Sequence, residues 1–283
     1  MAERTCLLTG ATSGIGKVAA AELARRGWRM LLVSRERGRG EAVVQEMCAA
    51  GIRAPLELLI ADLSSQHDIH RLSGEVRRLA PRLQVLINNA GVICLTRRTS
   101  PDGIEMTLAV NHLAPFLLTR LLEDCLAAGA PARVVTVASD AHRIGRIHFD
   151  DLQGERRYKG WTAYAQSKLA NILFTYELAR RWKEQRITAN CLHPGAVDTG
   201  IWRESRGVLR LVLRAARPFF LTSAQGAAGI IQLADAPALD GVSGRYFRKG
   251  RAVRSTRASY DATAAARLWD ASAALAPLPP RIP

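Results

Sequence analysis

Tyr164 and Lys168 stand four residues apart in the run Tyr164-Ala165-Gln166-Ser167-Lys168, the spacing that puts two side chains on one face of a helix with their tips within reach. A phenol with its ordinary pKa of about 10 is a poor proton donor or acceptor near neutrality, and a cation within about 4 to 6 Å lowers it by roughly 1 to 3 units. Lys168 is placed to supply that cation, and Tyr164 to act as catalytic acid or base. Ser139 follows the apolar run Val134 to Ala138, where its hydroxyl could hydrogen-bond a substrate oxygen as charge develops on it. Taken singly, these residues read equally well as a helix face and a turn cap. Asn111 lies inside an apolar helical stretch, Leu108 to Leu122, where an amide is a poor helix former and costs free energy unless it is bonded. It reads either as a satisfied core amide or, with Pro115 breaking the hydrogen bonding nearby, as a place that admits a water.

A second group of residues suits a phosphate-bearing cofactor. Thr9-Gly10-Ala11-Thr12-Ser13-Gly14-Ile15-Gly16 places three glycines where the chain leaves a strand and enters a helix. Glycine permits positive φ and close approach to a ligand, and the helix N-terminus behind it favours an anion such as a pyrophosphate. The second strand ends in Val33-Ser34-Arg35, where selection of NAD calls for a carboxylate against the ribose hydroxyls. Arg35 suits the 2′-phosphate of NADP(H) instead, and Lys17 could add a second charge. Asp62, with Leu63 beside it, closes the third strand, as a contact for the adenine amino group, a strand-end turn, or both. Asn88-Asn89-Ala90-Gly91 follows the fourth strand, with a structural role for Asn88 and an approach to the cofactor for the rest.

These residues require a particular scaffold. Apolar runs at Thr5 to Leu8, Met30 to Val33, Leu56 to Ile60, Val85 to Ile87, Arg133 to Val137 and Ile187 to Cys191 read as strands. Helical patterns occupy Ile15 to Arg26, Glu41 to Ala50, Ile104 to Leu126 and Ala163 to Trp182. Such alternation predicts an α/β fold: a Rossmann-like, doubly wound parallel sheet of about seven strands in the order 3-2-1-4-5-6-7, helices on both faces, with the ligand crevice at the carboxyl ends of the strands. A single domain over 1–283 is expected, with a loose Pro-rich tail at 277–283.

Thr9 to Gly16, Asn88 to Gly91, Asn111, Ser139, Tyr164 with Lys168, and Pro194-Gly195 occur in the order found in short-chain dehydrogenases/reductases, which the chain resembles from about Thr5 to Tyr246. Arg146 to Glu155, Ser167-Lys168-Leu169-Ala170-Asn171 and Ser243 to Phe247 resemble the retinol dehydrogenase-like branch. The resemblance implies an NADP(H)-dependent oxidoreductase moving a hydride between nicotinamide and a carbonyl or alcohol carbon. In it Tyr164 donates the proton, Lys168 lowers its pKa and holds the nicotinamide ribose, Ser139 orients the substrate oxygen and Asn111 holds a relay water. Either Asn89 or Gly91 lies against the adenine ribose, and Val197 and Thr199, after Pro194-Gly195, contact the nicotinamide. A homodimer or homotetramer through the helices carrying Asn111 and Tyr164 is expected by analogy. Retinol dehydrogenases usually begin with an apolar membrane anchor, whereas this sequence starts a few residues before its first strand, so no transmembrane anchor is expected.

Composition narrows the remaining classes. With 48% hydrophobic and 23% charged residues the chain reads as globular and cytoplasmic, with no signal peptide and no stretch approaching the roughly 20 apolar residues of a membrane span. The five cysteines are widely spaced, without metal-ligand spacing, and read as reduced thiols with no metal site. The net charge of +15 is scattered in pairs such as Arg25-Arg26 and Arg180-Arg181, which argues against nucleic acid. The apolar stretch 201–221, within a region expected as a lid near 196–222, reads as a cover for a hydrophobic substrate, an interfacial helix in peripheral contact with membrane, or a helix packed on its own core or a partner subunit. The substrate class expected is an apolar carbonyl or alcohol: retinal-like, steroid-like, polyketide or lipid. A reading of another class is an NADP(H)-binding sensor without turnover.

Overall fold

The structure, a computed structural model, describes residues 4–195 and 221–279. The expected contacts at Val197 and Thr199, the lid between 196 and 220, and the last four residues of the tail lie outside the described residues. Of the expected loose tail, Pro277 to Pro279 have no regular structure, yet Leu278 packs on the core.

Among the described residues eight strands form one sheet: β1 (Thr5–Thr9), β2 (Arg29–Ser34), β3 (Leu56–Ile60), β4 (Val85–Asn88), β5 (Ala132–Val137), β6 (Ile187–His193), β7 (Arg245–Arg248) and β8 (Arg251–Val253). Their order is β3-β2-β1-β4-β5-β6-β7-β8, parallel as far as β7, so the expected topology holds and gains one strand. β8 pairs antiparallel with β7. Its three residues are all exposed and carry none of the apolar patterning by which a strand is read, so the expectation of about seven strands missed it.

β1 is buried along its whole length, as a central parallel strand covered on both faces must be. Because successive side chains point to opposite faces, Leu7, Leu31, Leu86 and Val134 enter one core and Leu8, Leu32, Ile87 and Val135 the other. Helices α1 (Gly14–Arg25) and α2 (Arg37–Ala49) cover the second face. The first is covered by α3 (Gln66–Leu79), an amphipathic helix that the sequence reading passed over, and by the elements that follow β4.

The long helix expected over 104–126 is divided into α4 (Met106–Leu108), a π-turn (Ala109–Leu113), α5 (Ala114–Leu121) and α6 (Glu123–Ala128). Within the π-turn the Ala114 N–H donates to Ala109 O, a five-residue step. Pro115 has no N–H to give the Asn111 carbonyl at the α-helical step of four, which is a local cause for the widening.

α7 (Gly160–Arg181) carries Tyr164 and Lys168 and is buried without interruption from Tyr164 to Thr175. β6 follows it, then α8 (Ser223–Asp235), which packs on α1, and finally α9 (Ala262–Leu275), which packs on α7. Leu268 and Ala265 meet Leu169 and Leu173, and Trp269 stacks on Phe174 at 6.0 Å and meets Phe116 edge-on at 5.0 Å. α9 thus covers part of α7.

Candidate active site

The carboxyl ends of the strands border a cleft of about 690 Å³ at the switch point where β1 lies between β2 and β4. It is lined at one end by the glycine turn and the end of β2, and at the other by Ser139, Tyr164 and Lys168.

The glycine turn is held in shape from below. Gly10 and Gly14 have φ of 69° and 53°, a region that side chains disfavour. A Cβ on Gly16 would fall 2.3 Å from the Gly10 carbonyl oxygen and 2.5 Å from Asn89 Nδ2. Asn89 Nδ2 donates to Thr9 O at 2.8 Å and Gly10 O at 3.1 Å, while the Asn89 and Ala90 N–H groups donate to Thr9 Oγ1. Asn89 is thus a brace for the turn as well as part of the lining. Asn88 is buried and donates to Thr119 Oγ1 at 3.0 Å, in the structural place expected for it. Thr12, Ser13 and Ile15 line the cleft with the glycines, as do Ala90, Gly91, Asp62, Leu63, Pro194 and Gly195. Asp62 Oδ1 accepts from Ser64 N at 2.9 Å and Ser64 Oγ at 2.8 Å, so it makes the strand-end turn while also lining the cleft.

Beyond β2, Arg35 lines the cleft as expected, and Arg39 from the first turn of α2 joins it. The two guanidinium groups flank Glu36, with Arg39 Nε at 2.9 Å and Arg35 at 3.6 Å from its carboxylate. Lys17 does not reach the cleft. It pairs with Glu46 of α2, and Arg39 stands where a second cation was sought. The spacing of Arg35 and Arg39, four residues apart across the start of a helix, was the signal available for it. Glu36 also lines the cleft, so the end of β2 is not free of acid, but both arginines hold its carboxylate.

Tyr164 and Lys168 are buried, at 8% and 3% exposure, and both line the cleft. Burial pushes the Tyr164 phenol up, with hydrogen bonding to Ser139 acting against that rise. Burial draws the Lys168 ammonium down to about 8. Lys168 Nζ donates to Val137 O at 3.0 Å and lies 5.6 Å from the centre of the Tyr164 ring. Burial therefore sets the direction for the phenol, and the group that opposes the rise is Ser139 rather than Lys168. Ser139 Oγ accepts the Ala141 N–H at 3.2 Å at the head of a 3-10 turn, Asp140–Ile144, which leaves its own hydrogen free to donate.

Asn111 is fully buried and does not line the cleft. Its Oδ1 accepts from Val92 N at 2.7 Å, and its Nδ2 donates to Val92 O at 2.9 Å and Ser167 Oγ at 3.0 Å. Both amide hydrogens are used, so the side chain is a strut under the loop after β4. Any water at Asn111 would meet its backbone carbonyl, which Pro115 leaves without an α-helical donor, rather than its amide. A Cβ on Gly91 would come 3.4 Å from Asn111 Oδ1 and 3.5 Å from Lys168 Nζ, ordinary contact distances, so the loop after β4 passes close to both groups.

The sequence reading did not pick out Ile93, Met106, Val110 and Trp161, which also line the cleft. Trp161 meets Tyr164 edge-on at 6.3 Å and had a local signal, three residues ahead of it on the same helix. The other three come from the loop after β4, α4 and the π-turn, and only the fold brings them there. The cysteines are all free, and Cys94 alone among them lines the cleft. No helix of the described residues is long and apolar enough to cross a membrane, and no group of ligands among them could hold a metal ion.

A parallel sheet wound in this order, with a glycine turn at one end of its crevice and a serine, tyrosine and lysine at the other, defines a nicotinamide-type dehydrogenase fold. The family model for short chain dehydrogenase matches residues 4–208, and the chain belongs to that family of oxidoreductases. Within it the chain is retinol dehydrogenase-like: it is 42% identical to retinol dehydrogenase 14 of Mus musculus over 95% of this chain and 84% of the other. It is also 42% identical to DnrU of Streptomyces sp. (strain C5), provisionally assigned as a daunorubicin C-13 ketoreductase, over 96% of this chain and 92% of the other. Among solved structures, the active-site complex of Pseudomonas aeruginosa RhlG with NADP is similar with a TM-score of 0.70 and 25% identity, covering 87% of this chain and 94% of that one.

Proposed function

We propose that the chain is an NADP(H)-dependent oxidoreductase acting on a carbonyl or alcohol carbon of an apolar small molecule. The observation that carries this is the lining of one cleft by Ser139, Tyr164 and Lys168 at one end and by the glycine turn, Arg35 and Arg39 at the other. The residues fit the cofactor: Gly10 and Gly16 leave a cradle that a Cβ would fill, and the two arginines suit a 2′-phosphate where a single carboxylate is already held by both. Preference for NADP(H) is also supported by the NADP complex of the Pseudomonas aeruginosa relative.

When bound, nicotinamide supplies or accepts the hydride. Tyr164 gives its phenolic proton to the carbonyl oxygen in reduction and takes it back in oxidation. Ser139 Oγ donates a hydrogen bond to the same oxygen as charge grows on it. Lys168, anchored on Val137, supplies a cation beneath them when protonated. Ile93, Met106, Val110 and Trp161 favour an apolar substrate. Retinoid-like and polycyclic ketones are the classes to which the relatives' names point.

The test is NADPH oxidation with a panel of apolar aldehydes and ketones, retinal and a polycyclic aryl ketone among them, in the wild type and in Tyr164→Phe. Turnover falling about 10²- to 10⁴-fold in the variant, with NADPH still bound, is the expected result. Undiminished turnover in Tyr164→Phe would remove the mechanism. NADPH binding without turnover of any panel member would favour a sensor.

A further inference from the structure

We propose that His142 is a positioning residue that fixes Ser139 for donation to the substrate oxygen, with the Thr256 N–H selecting the imidazole tautomer that can donate to it. The inference rests on the reductase reading. His142 is fully buried in the turn after Ser139. The Thr256 N–H points at His142 Nε2 at 3.2 Å, and a backbone N–H can only donate, so Nε2 is the acceptor. The ring proton therefore sits on Nδ1, which donates to Ser139 O at 2.6 Å. Burial, which disfavours the imidazolium, acts in the same direction. His142 thus connects the segment after β8 to the carbonyl of the residue whose hydroxyl faces the cleft.

That hydroxyl is useful in one orientation only. Ser139 Oγ accepts from Ala141 N, which turns its hydrogen outward. A shift of the 139–141 turn as a whole would lengthen this bond and re-aim the hydroxyl, and a misplacement of about 1 Å in such a group is costly to rate. The far side of the same turn is held independently. Asp140 N–H donates to His193 Nδ1 at 3.3 Å, and the Asp140 carboxylate accepts from Tyr246 Oη at 2.9 Å and from Arg248 Nε at 3.0 Å. Within the turn the Ser139 carbonyl accepts the His142 backbone N–H at 3.1 Å, and the His142 ring adds the second bond, at 2.6 Å, that ties this carbonyl to the segment after β8.

The experiment compares His142→Asn, which can keep a donor where Nδ1 stands, with His142→Gln, which can keep an acceptor where Nε2 stands, and with His142→Leu. kcat is expected to fall about 10- to 100-fold in His142→Gln and His142→Leu and to stay near wild type in His142→Asn, with the KM for NADPH unchanged throughout. In a Ser139→Ala background the three variants should lose nothing further, because residues that act as a unit are not additive. A role in folding alone would depress all backgrounds equally and would overturn the proposal, as would Gln outperforming Asn. If His142→Leu does not fold, the Asn and Gln pair decides. If the wild type turns over no carbonyl, the reductase reading fails separately. The ultraviolet titration of Tyr164, taken as the difference from Tyr164→Phe, then decides: a higher phenol midpoint in His142→Gln than in His142→Asn supports the positioning of Ser139, and equal midpoints overturn it.

Discussion

Lys168 Nζ is bonded to the Val137 carbonyl at 3.0 Å, at the end of β5, and not to Tyr164 one helical turn away. The buried cation is thus attached to the sheet that also ends in Ser139. Its ammonium is drawn from 10.5 to about 8 by burial, which has a consequence for stability. Between about 8 and 10.5 the unfolded chain holds this proton and the folded chain has released it, so stability from this group rises with pH across that window, by on the order of 3 kcal/mol. Below about 8 the penalty is fully present. Thermal unfolding of the wild type and Lys168→Met from pH 7 to 10.5 should show the wild type gaining on the variant as pH rises; parallel curves would contradict the buried, strained ammonium. Lys168→Met should also lose most of its turnover.

Arg35 and Arg39 are expected to distinguish NADPH from NADH. Charge-assisted hydrogen bonds to a phosphate are worth about 1.5–3 kcal/mol each, so Arg35→Ala and Arg39→Ala should each weaken NADPH binding about 10- to 100-fold and leave NADH almost unchanged. Fluorescence titration with both cofactors measures this. Equal losses for the two would remove the 2′-phosphate assignment.

Gly16→Ala should damage the cofactor turn. The added Cβ would meet backbone oxygen and the Asn89 amide at under 3 Å, and neither can move without breaking the bonds Asn89 makes to Thr9 and Gly10. A loss of about 1–3 kcal/mol in urea unfolding, with cofactor affinity falling alongside it, is the expected outcome.

Asn111→Leu removes the partners of both Val92 backbone groups. Leaving a buried donor or acceptor unmade costs about 1–3 kcal/mol, so denaturation should show a loss on the order of 3 kcal/mol. Asn111→Asp keeps the acceptor for Val92 N but loses both donors, and should fall between.

The sequence by itself determined what depends on near neighbours along the chain. The glycine turn, the strand and helix alternation, and the shared helix face of Tyr164 and Lys168 follow from local backbone rules, and their places in the structure agree with that reading. The division of the long helix was half legible, since Pro115 announced a break without saying that Asn111 would turn inward to Val92. Only the tertiary structure decided which groups those side chains meet: Val137 for Lys168, Glu46 for Lys17, Thr256 for His142, and α9 for the outer face of α7. These partners lie from about 30 to over 100 residues away in sequence. No spacing rule reaches that far, because contacts across such separations are set by the stacking of sheet and helices, and the same stacking decides whether a charge is solvated or buried.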